Sequence, residues 1–150
     1  MIVARVVTGV WSHAGARVTE WIGAIPLIGM GIVFLTSDDI FSISASFALL
    51  AAWATQGTWA NILLSGGLAR VCALIVNGSF PVSYRYSPIV RFLASWLAML
   101  IWAAIALAMF AAWREVGGAP TGMVAYGTLA LMELRNVYSA RVDMVLTRRS

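Results

Sequence analysis

Lysine is missing from this 150-residue chain, histidine and cysteine occur once each, and only six side chains are acidic. Each scarcity excludes something. A single cysteine, Cys72, rules out a disulfide framework. A lone histidine, His13, cannot assemble a zinc-type site, which needs several N, S or O ligands. Ten arginines and six carboxylates are too few to cover a soluble domain of this size with polar surface. What fills the chain instead is apolar: 61% of residues are hydrophobic and the mean hydropathy is +0.88. Chains of that composition bury their surface in lipid. The expected fold is a single all-α integral membrane domain over residues 1–150.

Apolar runs set the expected elements. Residues 2–20 place Ile2, Val6, Val10, Ala14 and Val18 at helical spacing with Arg5, Ser12 and Glu20 opposite, which predicts an amphipathic helix lying in the membrane interface. Ala14-Gly15-Ala16 resembles a signal-peptidase site, but Val6–Trp11 is short for the apolar region of a signal peptide. Spans are expected near 21–36, 58–76, 92–113 and 119–134, followed by a second amphipathic helix over 135–147. The 92–113 segment carries no charge and has Trp96 and Trp113 toward its ends, as an aromatic belt would. Residues 41–55 are apolar yet only 15 long. The preferred reading makes 44–55 an interfacial helix, with Thr58 capping the span that follows; the alternative is one span over 41–64.

Arginine placement gives the orientation. With four spans, Arg5, Arg17, Arg70, Arg85, Arg91, Arg135, Arg141, Arg148 and Arg149 fall on one side and only Arg114 on the other, beside Asp38, Asp39 and Glu115. A five-span arrangement leaves three arginines outside. The positive-inside bias selects four spans with both termini in the cytoplasm of a bacterial inner membrane. The nine arginines are then candidates for contact with anionic headgroups, and the bilayer, in preference to nucleic acid, is the partner for a net charge of +4. Arg70 lies seven residues from Asn77, roughly 10 Å below the helix end, within reach of a snorkelling side chain.

No catalytic constellation emerges. Asp38 and Asp39 are neighbours whose side chains diverge, which fits a solvated loop with a helix cap. Glu133 and Asp143 are expected to pair locally with Arg135 and Arg141. The loop Gly117–Gly122 lacks a phosphate-binding lysine. Gln56, Asn61, Arg70 and Asn77 are the polar groups nearest the membrane interior and could mark a pathway. Ala104, Ala108 and Ala112 form a small-residue stripe suited to helix packing, within the chain or against a second copy. Neither cofactor nor metal is implied.

The pattern Arg70-x(6)-Asn77-Gly78-Ser79-Phe80, then Tyr86-Ser87-Pro88-x-x-Arg91 and a tryptophan-bearing span, resembles small polytopic membrane proteins of tailed phages and prophages. The resemblance covers about residues 70–113. It implies a host inner-membrane location and homo-oligomerisation, and carries over no functional residue. Three function classes follow: a small non-enzymatic membrane protein, a holin-like lesion-forming protein, and an accessory subunit of a larger membrane complex.

Overall fold

The computed structural model describes residues 17–79, 87–117 and 120–149, apart from the side chains of 77–79, 87 and 147–149. Its elements are α1 (Val18–Thr36), α2 (Ile40–Ile43), a 3-10 turn (Ala45–Phe47), α3 (Ala48–Trp53), α4 (Gln56–Ser79), α5 (Ser87–Val116) and α6 (Thr121–Arg149). No strand occurs among the described residues. The expected helix over 2–20 lies, for residues 2–16, outside the described residues; 18–20 belong to α1.

Each long helix buries one stripe at helical spacing. On α1 the stripe is Glu20, Gly23, Leu27, Gly31 and Phe34. On α4 it is Ala60, Leu63, Gly67, Arg70 and Leu74, and on α5 it is Arg91, Ser95, Ala98, Trp102, Ile105, Ala108 and Ala112. Such stripes close helices around a common core. Gly31 faces Leu64 while Gly67 faces Ile28, so α1 and α4 run antiparallel. A Cβ on Gly67 would lie 2.5 Å from Ile28 Cγ1, and one on Gly31 2.7 Å from Leu64 Cγ. The two glycines are what allow these backbones to approach. Arg91 meets Asp143 and Trp102 meets Tyr126, which makes α5 and α6 antiparallel too. The result is an up-down-up-down bundle. One end holds the starts of α1 and α5 and the finishes of α4 and α6; it is called the basic end below.

At the opposite end, residues 40–53 form a crown of short helical pieces of 4, 3 and 6 residues, none long enough to span. Ala54 is extended (φ −162°), so no continuous 41–64 helix forms. Gln56 holds the crown down. Its Nε2 donates to Phe34 O (2.8 Å) and Ser37 O (3.2 Å), and its Oε1 accepts from Phe41 N–H (3.2 Å). Trp59 Nε1–H donates to Leu50 O at 3.0 Å. Phe34 meets Phe41 and Phe47 edge-to-face, with centroids 5.2 and 5.4 Å away.

Caps differ from expectation. Thr55, and not Thr58, caps α4: its Oγ1 accepts the Thr58 N–H at 3.2 Å, three residues into the helix. Asp39 occupies the cap position of α2 without a side-chain cap bond. At the end of α5, Gly117 takes φ +77°, the left-handed stop that glycine adopts without strain.

Three helices are long and apolar enough to cross a membrane by length and composition: Val18–Thr36, Gln56–Val76 and Pro88–Val116. The separate amphipathic helix expected over 135–147 does not form. Helix α6 runs unbroken for 29 residues. The reason is local: between Gly127 and Arg149 there is neither glycine nor proline to interrupt it.

Candidate functional site

Charged side chains on buried helix faces are the unusual feature of the bundle, and they collect toward its basic end. Arg70 and Glu133 are 2% and 0% exposed and meet at 2.5 Å. Glu133 lies ten positions up α6 from Asp143, roughly 15 Å along the axis, far from either helix end. Around the pair, Arg70 Nη2 reaches Ser95 Oγ at 3.5 Å. Asn136 Nδ2 donates to Glu133 Oε2 at 3.1 Å, and Thr19 Oγ1 donates to Asn136 Oδ1 at 2.7 Å. All four long helices contribute. Gly23 of α1 is the packing condition: a Cβ there would overlap Glu133 Oε1 and come within 3.3 Å of the Arg70 guanidinium carbon. Arg70 Nε is buried without an acceptor.

A second cluster lies one step closer to the helix ends. Arg91 is 4% and Glu20 also 4% exposed. Arg91 Nε donates to both Glu20 oxygens (2.9 and 3.2 Å), and its Nη2 also pairs with Glu20. Its Nη1 donates to Asp143 Oδ2 at 2.6 Å. Asp143 is 42% exposed, so this side of the cluster lies open at the surface. Arg17, just ahead of α1, is half-buried beside the same groups. Burial pushes its guanidinium below the ordinary value and the Arg91 charge adds to this, while Glu20 and Asp143 oppose it.

These contacts correct the sequence reading of two arginines and two acids. Arg70 and Arg91 do not snorkel to headgroups. Each is enclosed because it sits on the buried stripe of its helix, where a carboxylate from another helix meets it. Glu133 pairs across the bundle with Arg70, not along α6 with Arg135, whose Nη1 turns to Thr19 Oγ1 at 3.2 Å. Asp143 likewise takes its partner Arg91 from α5. Arg135 and Arg141 are exposed. Arg5 and Arg85, and the side chains of Arg148, Arg149 and Asn77, lie outside the described residues, as does His13. Ala108 and Ala112 are buried and Ala104 is half-buried against the core. Gln56 is spent on the crown, Asn61 is exposed, and Cys72 is exposed.

Glu20 as a bundle carboxylate, and the joining of Glu133, Asn136 and Ser95 around Arg70, are absent from any local pattern in the sequence. One signal does point to them. Glu20 and Arg70 continue the stripes of Leu27 and Leu63, so periodicity alone turns them inward.

Chemically, the arrangement is a set of counter-ions. Each buried carboxylate is held by an arginine that cannot lose its charge. The chain matches no protein-family model, no curated protein and no solved structure.

Proposed function

We propose that this chain is a four-span, non-enzymatic protein of the bacterial inner membrane, with both termini cytoplasmic, whose polar network fixes the four helices in one register. The carrying observation is the cross-helix pairing of the enclosed Arg70 with Glu133, which lies far from either end of α6. An isolated charge at the centre of a spanning helix costs about 2.5–3.5 kcal/mol on insertion scales, and ionisable groups at that depth face the bundle interior and pair. That rule also accounts for α6 as the fourth span. Its low hydropathy comes partly from Glu133 and Asn136, which are buried, and from Arg141 and Asp143 near the basic end.

Orientation rests on charge. Arg17, Arg91, Arg135 and Arg141 sit toward the basic end, against Arg114 toward the crown, beside Asp38, Asp39 and Glu115. By the positive-inside bias the basic end is cytoplasmic. Among the described residues the buried carboxylates Glu20 and Glu133 each meet an arginine of the same chain, and the outward faces of α1 and α5 carry Ile25, Ile32, Leu93, Leu97 and Leu107. This favours a self-contained bundle over a lesion-forming assembly, which needs polar faces to line water. A cysteine-accessibility scan in a Cys72→Ser background tests the reading. Residue 38 should label only from the periplasmic side; labelling from the cytoplasmic side alone would sink it.

A further inference from the structure

The outward face of α4 is unlike those of its neighbours. The other long helices turn bulky apolar side chains out, among them Ile25 and Ile32 on α1, Leu93 and Leu107 on α5, and Leu131 and Leu134 on α6. On α4 the exposed line is Thr58, Asn61, Ser65, Leu68 and Cys72. Four of these five are small or polar. Their spacing alternates three, four, three, four, the pattern of a seam between two helices that cross at a shallow angle. The buried stripe of α4, from Ala60 through Leu63, Gly67 and Arg70, lies on the opposite side of the helix.

Hydrogen bonding marks the same line independently. Exposed threonines elsewhere turn their hydroxyls back on their own helix: Thr36 Oγ1 donates to Ile32 O at 2.9 Å, and Thr128 Oγ1 to Val124 O at 2.8 Å. The Asn61 amide and the Ser65 hydroxyl make no such bond, nor any other among the described residues. Ser65 stands near the middle of the apolar stretch Gln56–Val76, and Asn61 one turn toward the crown. Lipid tails offer neither donors nor acceptors, whereas a neighbouring helix offers both.

The chemistry of the line selects the neighbour. It carries no charge, so two copies meet without repulsion. Asn61 and Ser65 each hold a donor and an acceptor, so each can pair with its own kind. On the four-span reading every copy inserts with the same end in the cytoplasm. A two-fold axis between two copies then runs along the membrane normal, and each residue on the line faces its counterpart. The alanine stripe of α5 is not available for this, because Ala108 and Ala112 are buried inside the bundle.

Resting on that four-span reading, we propose that α4 pairs in parallel with α4 of a second copy along residues 58–72. The Asn61 amides exchange Nδ2–H to Oδ1 bonds across the axis, the Ser65 hydroxyls bond one turn below, and the two Cys72 thiols come face to face.

The native cysteine supplies the test. The full chain is expressed in a bacterium, and its inner-membrane vesicles are washed with carbonate and oxidised with copper phenanthroline. Cys72 should give a disulfide-linked dimer that reductant reverses. In a Cys72→Ser background, Leu93→Cys on α5 and Leu131→Cys on α6 should cross-link far more slowly. Association is then measured by energy transfer between copies labelled on an added C-terminal tag and diluted in phosphatidylcholine vesicles. Asn61→Leu keeps the bulk and loses the amide, and should weaken association about three- to fifteenfold. Ser65→Trp should prevent it while leaving thermal unfolding of the bundle unchanged, since residue 65 is exposed. Equal cross-linking from all three helices, or energy transfer that Ser65→Trp leaves intact, overturns the proposal while the membrane reading stands. A disulfide from Cys72 to a foreign polypeptide in place of the dimer overturns it in favour of another partner. Release of the chain by carbonate sinks the four-span reading, and the pairing with it.

Discussion

Leu63 and Arg70 sit seven positions apart on one stripe of α4, at 0% and 2% exposure, yet what surrounds them differs in kind. Leu63 belongs to a cluster of Leu27, Ala98, Ile101, Trp102 and Ile105. Arg70 touches Glu133 and Ser95 at fixed angles. In lipid, apolar packing distinguishes one helix arrangement from another only through shape, because the tails outside are as apolar as the core. A directional ion pair distinguishes them sharply, since a shifted register leaves a charge unmet. On the membrane reading proposed above, the basic half specifies the fold and the crown half fills it. Substitutions that separate these two roles break or sharpen the contrast.

The largest effect should come from Glu133→Leu. It strands a guanidinium that has no neutral form and costs about 3–5 kcal/mol. Arg70→Leu should cost less, because the carboxyl left behind can take a proton. The double variant Arg70→Leu/Glu133→Leu should recover most of the loss. Unfolding in mixed micelles, followed by circular dichroism, ranks the three. If both single variants are equal and the double variant is their sum, the pair does not act as a register device.

Leu63→Ala removes packing in the crown-side half and should cost about 2–5 kcal/mol, while Leu63→Met should cost under about 1.5 kcal/mol. The comparison with Arg70→Lys is the informative one. Lysine keeps the charge but lacks the planar fork, so at this site the conservative change should be the costly one. A core that tolerates methionine at 63 and rejects lysine at 70 separates shape from direction.

Gly67→Ala comes next. Its Cβ would press on Ile28, including the Ile28 backbone nitrogen at 3.2 Å, so α1 and α4 must separate. Overpacking of this kind costs about 1–3 kcal/mol. Thermal unfolding measures it, and Gly57→Ala, where nothing lies within 4 Å of the new Cβ, is the control.

Much of this was legible in the sequence, for reasons that also show where legibility stops. Composition and apolar runs located α4 and α5 to within a few residues, because a long apolar run bounded by turn residues is the clearest helix signal a sequence carries. The break before α4 was readable from the short run over 41–55. The pairing was not. Glu133 and Arg135 look like neighbours in sequence, but on a helix two positions apart they point in different directions, and the partner of Glu133 comes from a helix 63 positions away. The continuity of α6 was obscured by its charges: the polar half read as a separate interfacial helix because local hydropathy does not record which polar groups are enclosed.

The smallest effect should be at Asp143, and it tests where the enclosed half ends. Its carboxylate bonds Arg91 Nη1 at 2.6 Å, yet the side chain is 42% exposed. Arg91 keeps Glu20 on two other nitrogens when Asp143 is neutralised. Asp143→Asn should therefore cost under about 1 kcal/mol, as exposed ion pairs do, and the difference from wild type should shrink as salt is raised. Glu20→Gln, by contrast, removes the enclosed partner of the same arginine and should cost several times more, with little salt dependence. Measured side by side at low and high ionic strength, the two variants mark the depth at which the pairing passes from screened to enclosed. Equal salt dependence for both would place Arg91 at the surface, and the register-setting role would then fall to the Arg70–Glu133 pair alone.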